Sequence, residues 1–172
     1  ADPDFPQIVP ANTATMMAEG PTSDCRYHHA FIDGTNTYLL RGKLGTAPLF
    51  EFSVYAGKIG LQDESRQISS ITETDLIVEP GGHFEIVLSP DEHSGNWLRT
   101  DDTTSYLFLR QYTLDWSTTE SATYTICKRG IETGKQPLNL EMMSNALEKT
   151  AAFVERGPRF WGALVDQRAA EE

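Results

Sequence analysis

The chain has 172 residues, 39% of them hydrophobic and 23% charged, the size and composition of one globular domain that removes on the order of 70% of its unfolded surface from water. A formal net charge of −11, with no dense run of Lys or Arg, repels phosphate backbones and anionic lipid, so nucleic acid and membrane surfaces are excluded as expected partners. No apolar run reaches the roughly 20 residues that span a bilayer, and the opening ADPDFPQIVP has neither the charged nor the apolar region of a signal peptide.

Residues 1–24, with Pro3, Pro6, Pro10 and Pro21, read as an extended lead-in that wraps a domain surface. Ala1 in place of Met fits a processed or excised piece of a longer chain, and localisation is left open. From Arg26 the pattern changes to short β-prone runs separated by turn residues, the pattern of an antiparallel sandwich. Strands are expected at 26–33, 37–43, 48–56, 75–79, 83–89, 105–113 and 121–128. Asp33-Gly34-Thr35-Asn36 and Gly42-Lys43-Leu44-Gly45 are expected to close tight hairpins. Glu79-Pro80-Gly81-Gly82 is expected to pair TDLIV with HFEIVLS. Between them GKIGLQDESRQISSITE is read as a long loop or a short edge strand around Ile68–Ile71. The strand YLFLRQY is apolar on both faces, which makes it central in its sheet and places Arg110 where water is scarce.

After Gly134 the period becomes helical. Asn139 is the expected cap, Glu141 lies in the first turn, and Met143, Leu147, Thr150, Ala151 and Val154 recur on one face until Gly157-Pro158. A second short helix, 159–169, carries Phe160, Trp161, Leu164 and Val165. Both helices are expected to pack on or beside the sandwich. Cys25 and Cys127 have no CxxC or Cys/His spacing, which removes thiolate zinc sites and thioredoxin-like redox chemistry; two free, mostly buried thiols are preferred over a bridge. The expected architecture is therefore a mainly β, jelly-roll-like antiparallel sandwich at 25–135, followed by C-terminal α-helices at 136–172.

Thr22-Ser23-Asp24-Cys25-Arg26-Tyr27 leading into HAFIDGTNTYLLRGKLG, then GGHFEIVLS, then GNWLRTDDTTSYLFLRQYTLDW, resembles the bacterial proteins carrying the domain of unknown function twelve-fourteen, often paired with the twelve-fifty-four domain. Asn96-Trp97-Leu98, Leu109-Arg110-x-Tyr112 and Asp115-Trp116 match that pattern position by position, whereas Thr22-Ser23-Asp24 keeps only the acid of the usual Asn-Pro-Asp. The resemblance implies a jelly-roll-like sandwich near the end of a longer chain, and no established activity.

His28 and His29 are adjacent, so on a strand they face opposite sides and cannot share an ion; His83 and Glu85 share a face, and His29 would complete a site only if its strand were their neighbour. No metal and no cofactor is expected. Neither GxSxG nor a Cys beside a positioned His is present, which argues against nucleophilic hydrolysis. Arg110, in an apolar strand, is either closed into an ion pair with an acid such as Asp115 or Glu85, or, with Tyr27, His29, Trp97 and Tyr112, lines an aromatic pocket for a carboxylate or a set of sugar hydroxyls. The leading expectation is a ligand-binding or accessory module for a carbohydrate or small polar molecule. The alternatives are an enzyme domain using His29 or His83 with Asp24 or Asp33 and Arg110, and a self-assembling protein joined through its lead-in and amphipathic helices, as a homo-oligomer or with a partner domain.

Overall fold

The structure, a computed structural model, describes residues 2–13, 22–58, 65–131, 134–135 and 137–171. Nine strands and one helix occur among them: β1 (Val9–Pro10), β2 (Cys25–Phe31), β3 (Tyr38–Lys43), β4 (Leu49–Ala56), β5 (Arg66–Thr72), β6 (His83–Ser89), β7 (Trp97–Arg99), β8 (Thr104–Tyr112), β9 (Thr123–Lys128) and α1 (Leu140–Ala170). Two sheets form a β-sandwich, one in the order β1-β2-β8-β4-β5 and the other in the order β7-β6-β3-β9. All pairs are antiparallel except β6–β7, which runs parallel, a departure from the uniformly antiparallel expectation.

Period-2 alternation builds the core. From β4 come Phe50, Phe52 and Val54, from β8 Leu107 and Leu109, from β3 Tyr38 and Leu40, and from β6 Phe84, Ile86 and Leu88, all buried between the sheets. Phe52 sits at the centre, its ring 5.2 Å from Phe84, 5.4 Å from Phe50 and 5.9 Å from Tyr124. Burying each such side chain contributes roughly 1.5–3 kcal/mol. β8 is the middle strand of five, where its two apolar faces require it to be. The polar stretch before β6 yields the edge strand β5; residues 59–64 of that stretch lie outside the described residues.

Two turn expectations and one strand expectation are corrected. Asp33–Asn36 does not close a hairpin: β2 and β3 lie in different sheets, and the chain crosses between them. The corner is pinned to the segment before β8, with the Gly34 amide donating to Thr104 O (3.0 Å) and Thr100 Oγ1 donating to Gly34 O (2.7 Å). A Cβ at Gly34 would stand 2.1 Å from Asp101 O, so close backbone approach is what glycine supplies there. Gly42–Gly45 likewise crosses from β3 to β4 in the other sheet. At Gly45 a Cβ would stand 1.9 Å from Glu120 O, and the Thr46 amide bonds that same carbonyl at 3.0 Å. Finally, 75–79 is not a strand. The Asn96 side chain accepts from the Ile77 amide and donates to the Ile77 carbonyl, both at 2.7 Å, and also donates to Glu85 O at 3.0 Å. One amide thus does for Ile77 what a ladder partner would have done, while β6 pairs with β3 and β7.

The lead-in adds the edge strand β1 to β2, and the Ala11 amide donates to Tyr27 O at 2.9 Å; Pro10 is tolerated because an edge strand has a side with no ladder to donate to. Residues 14–21 lie outside the described residues. Cys25 is buried and Cys127 exposed, both as free thiols.

The two expected helices are one. Asn139 caps α1 as expected, its Oδ1 accepting from the Met142 amide at 2.9 Å, and the helix then runs through Gly157-Pro158 to Ala170. Pro158 removes the N–H that would reach Val154 O and crowds that carbonyl. A proline also disfavours helical geometry in the residue before it, partly through a clash with that residue's Cβ; Gly157 has none, so the helix continues. Expected to pack on or beside the sandwich, α1 shares no extensive contact with either sheet. No described helix is long and apolar enough to cross a membrane.

Candidate functional site

The side of the five-stranded sheet turned away from the core carries a second, aromatic cluster: Tyr106 and Phe108 of β8 with Ala11, bordered by Tyr27, Phe31 and Tyr55. Alternation assigns them there, since residues flanking Leu107 and Leu109 must point the other way. The register sets Phe108 opposite His29 and Arg110 opposite Tyr27 on one neighbour, and Arg110 opposite Glu51 on the other. Phe108 is the hub. Its ring stacks with Tyr27 at 5.8 Å between centroids, while Tyr55 and Tyr106 stack with each other at 5.2 Å.

Two cations lie over these rings. The Arg110 guanidinium carbon is 4.4 Å from the Phe108 centroid and 5.9 Å from that of Tyr55. Lys58, buried at the end of β4, places Nζ 4.9 Å from the Tyr106 centroid and 5.7 Å from Phe108. Both arrangements use the negative ring face. One end of the guanidinium is tethered: Nη1 donates to Glu51 Oε2 at 2.8 Å, to Tyr55 Oη at 3.3 Å and to Ser53 Oγ at 3.4 Å, and Nη2 to Tyr55 Oη at 3.4 Å. Burial opposes its charge, but Tyr55 and Glu51 outweigh that cost and hold the Arg110 pKa above its ordinary value. Nε donates to no partner among the described residues, so among them that side of the fork can meet a planar anion or paired hydroxyls.

His29, on the same face, rests edge-on against Phe31 at 5.3 Å. Burial, reinforced by the Lys58 and His28 charges, depresses its pKa to about 4, so the ring is neutral at pH 7. Among the described residues its buried Nδ1 has no hydrogen-bond partner, and neither side-chain polar atom of Asn12 has one. Buried polar atoms are almost always paired, and an unpaired one costs about 1–3 kcal/mol. Cys25 completes the face; burial pushes its thiol up, although Tyr27, Tyr112 and the Arg110 charge pull the other way.

Of the residues singled out in the sequence, Arg110, Tyr112, Tyr27 and His29 therefore share one face. Trp97 does not join them. It stands on β7 at the edge of the other sheet, its indole N–H donating to Ser89 O at 3.1 Å. The ion-pair partner of Arg110 is Glu51, neither Asp115 nor Glu85: Asp115 accepts from the Ser117 hydroxyl and amide, and Glu85 from Arg41 Nε at 2.7 Å. Asp33 is committed to its own turn, accepting from the Thr35 hydroxyl (2.7 Å) and amide (3.0 Å), which hold its pKa below the usual carboxylate range. Asp24 accepts from Ser23 Oγ. His29 thus gains no carboxylate partner among the described residues. His28 turns to the opposite side, 6.0 Å from Tyr124. His83 and Glu85 are on the four-stranded sheet, in an open groove of about 460 Å³ with Arg41, Lys43 and Glu79, and so are not neighbours of His29.

Sequence reasoning missed Glu51, Tyr55 and Lys58. The signal was present in LFEFSVYA, where Glu51, Ser53 and Tyr55 alternate with Phe50, Phe52 and Val54 and must all project to the side opposite the core.

A two-sheet β-sandwich with an aromatic, cationic outer face on its larger sheet defines the class of domain. No known family's sequence profile matches the chain, and no curated protein matches it. Among solved structures it is similar to an uncharacterised protein from Burkholderia cenocepacia, 28% identical, with a TM-score of 0.85 over 91% of this chain. The chain spans 44% of that protein's length. It also resembles the VPA0106 protein of Vibrio parahaemolyticus over 54% of the chain and 27% of that protein, at 19% identity and a TM-score of 0.42.

Proposed function

We propose that this domain is a non-catalytic binding module whose ligand surface is the outer face of the five-stranded sheet, centred on Phe108 and Arg110. The observation that carries the reading is the half-tethered guanidinium. Glu51 and Tyr55 fix one end, Phe108 supports the plane, and Nε is left without a partner among the described residues. Fixing the arginine beforehand lowers the ordering cost of binding. Tyr27 and Tyr112 beside it, the second cation Lys58 and the unpaired Nδ1 of His29 suit a small ligand carrying a carboxylate together with hydroxyl groups, such as an acidic sugar. A protein with a net charge of −11 gains selectivity for an anion only through a local patch of this kind. We further place the chain with the proteins of the twelve-fourteen domain it resembles, including their jelly-roll-like topology.

Galacturonate is a suitable probe, because it presents both groups. Titrated into the labelled protein, it is expected to shift the amides of Tyr27, Arg110 and Tyr112 saturably, to lose that effect in Arg110→Met, and to keep it in Arg41→Met. Absence of saturable shifts on this face, or equal binding by a folded Arg110→Met, would reject the reading.

A further inference from the structure

The inward-facing apolar residues of the strands are buried between the sheets, whereas the large aliphatic residues of α1 are exposed. Leu140 is 89% exposed, Leu147 63% and Val154 66%, with Met143 also exposed, and no strand packs extensively against the helix. Leu140, Met143, Leu147, Thr150, Val154, Gly157 and Trp161 follow one another at intervals of three and four residues, the spacing of a seam that faces a second helix. The buried indole nitrogen of Trp161, without a hydrogen-bond partner among the described residues, lies on that seam.

Charge selects the occupant. Residues 140–155 carry Glu141, Glu148 and Glu155 against Lys149, whereas residues 156–170 carry Arg156, Arg159 and Arg168 against Asp166. The helix dipole accounts for such a bias only within the first and last turn, yet Glu148 and Arg156 are well inside, as are Glu155 and Arg159, which also pair with each other along the helix at 3.1 Å. An acidic half followed by a basic half is complementary to itself only when reversed. We infer that α1 pairs antiparallel with α1 of a second copy of this chain.

With residue 141 of one helix opposite residue 170 of the other, an overlap of all but one residue of each helix, the two-fold falls between Glu155 and Arg156. Trp161 then meets the smaller Thr150 of the other copy and Val154 meets Gly157, large against small at both layers. Pro158, close to the two-fold, bends both helices alike. A helix of 31 residues is about 46 Å long at 1.5 Å per residue. With a contact strip ~10 Å wide on each copy, the pair buries roughly 900 Å² in total, at the weak end of specific interfaces. Association is therefore reversible and concentration-dependent.

Sedimentation from micromolar to millimolar protein at low salt should give a rising dimer fraction that falls as salt is added. Leu147→Asp with Val154→Asp should abolish it while leaving the unfolding midpoint of the sandwich unchanged, since neither residue touches the sheets extensively. Direction is read by spin labels at Asn145→Cys in a Cys127→Ser background, Cys25 being buried. Antiparallel pairing puts the labels about 30 Å apart along the axis, whereas a parallel pair holds them within roughly 20 Å. A strict monomer at every concentration overturns the inference and assigns the seam to a different chain. A dimer that survives the double variant overturns it in favour of another surface, and a short label distance overturns the direction.

Discussion

The two sheets share one core and present opposite exteriors. Inward residues of both are the same kind of apolar side chain, alternating in the same way. Outward, the four-stranded sheet shows Arg41, Lys43, Glu85, Thr123 and Thr125 to solvent, whereas the five-stranded sheet shows Tyr27, His29, Tyr106, Phe108 and Arg110, half-buried or buried. Each face has an arginine–glutamate bridge between neighbouring strands at nearly the same distance, 2.7 Å for Arg41–Glu85 and 2.8 Å for Arg110–Glu51. The side chains of the first are 60% and 43% exposed, those of the second 21% and 24%. Equal geometry in unequal dielectric teaches that burial, not distance, decides what an ion pair does.

The largest expected effect tests the buried face through pH. The folded pKa of His29, about 4, lies below the ordinary value of 6.5. As pH falls through this interval the unfolded chain takes up a proton that the folded chain refuses, so stability is present above the unfolded pKa and drains away toward the folded one. Between pH 6.5 and 4.5, above the range where the depressed carboxylates of Asp33 and Asp101 protonate, the loss from this residue is about 2–3 kcal/mol. Urea unfolding of His29→Leu across that interval should show a correspondingly flatter dependence on pH. An equal slope in both proteins would mean that the site admits water and the ring is not held neutral.

Next in size is Arg110→Met, which leaves Glu51 without its cation. Removing one partner of a fully buried pair costs ~3–5 kcal/mol; with about a fifth of each side chain exposed, about 2 kcal/mol is expected. Glu51→Gln, which still accepts a hydrogen bond, should lose less. Denaturant midpoints of the two variants measure the difference, and equal losses would move the weight of the interaction from charge to packing on Phe108.

The extent to which the sequence forecasts this arrangement differs by level. Strand positions β2, β3, β4, β6, β8 and β9 follow from alternation and turn residues, and the Asn139 cap from its own side chain, because those signals are local. Which sheet a strand joins is not local. Asp33–Asn36 has the residues of a hairpin, and only the hydroxyl of Thr100 and the carbonyl of Thr104, 66 and 70 positions after Gly34, turn it into a crossing. Arg110 was legible as a buried arginine in need of an acid, but Glu51, 59 residues away, is chosen by the β4–β8 register. Trp97 was expected beside Arg110 and yet serves the opposite sheet.

Asn96→Ala addresses that non-local layer directly. It removes three hydrogen bonds to main-chain groups at Ile77 and Glu85, and because the site is partly open to water a cost of about 1–2 kcal/mol is expected. Amide exchange at Ile77 should quicken more than that of β6. If instead β6 exchanges as fast as Ile77, the segment before it is part of the sheet's cooperative unit and not a strip held by one side chain.

The smallest effect completes the pairing of the two bridges. Arg41→Met breaks a contact as short as that of Arg110, in which Glu85 raises the Arg41 pKa through a hydrogen bond and its charge. Nothing there is withdrawn from water, however, so each freed charge regains its hydration and the stretched side chain regains its rotamers. The urea midpoint of Arg41→Met should coincide with that of the unmodified protein within experimental error at moderate salt. A loss comparable to Arg110→Met would show that the outer surface of the four-stranded sheet is covered in solution, and the groove lined by Arg41, His83 and Glu85 would then rank with the Phe108 face as a place where something binds.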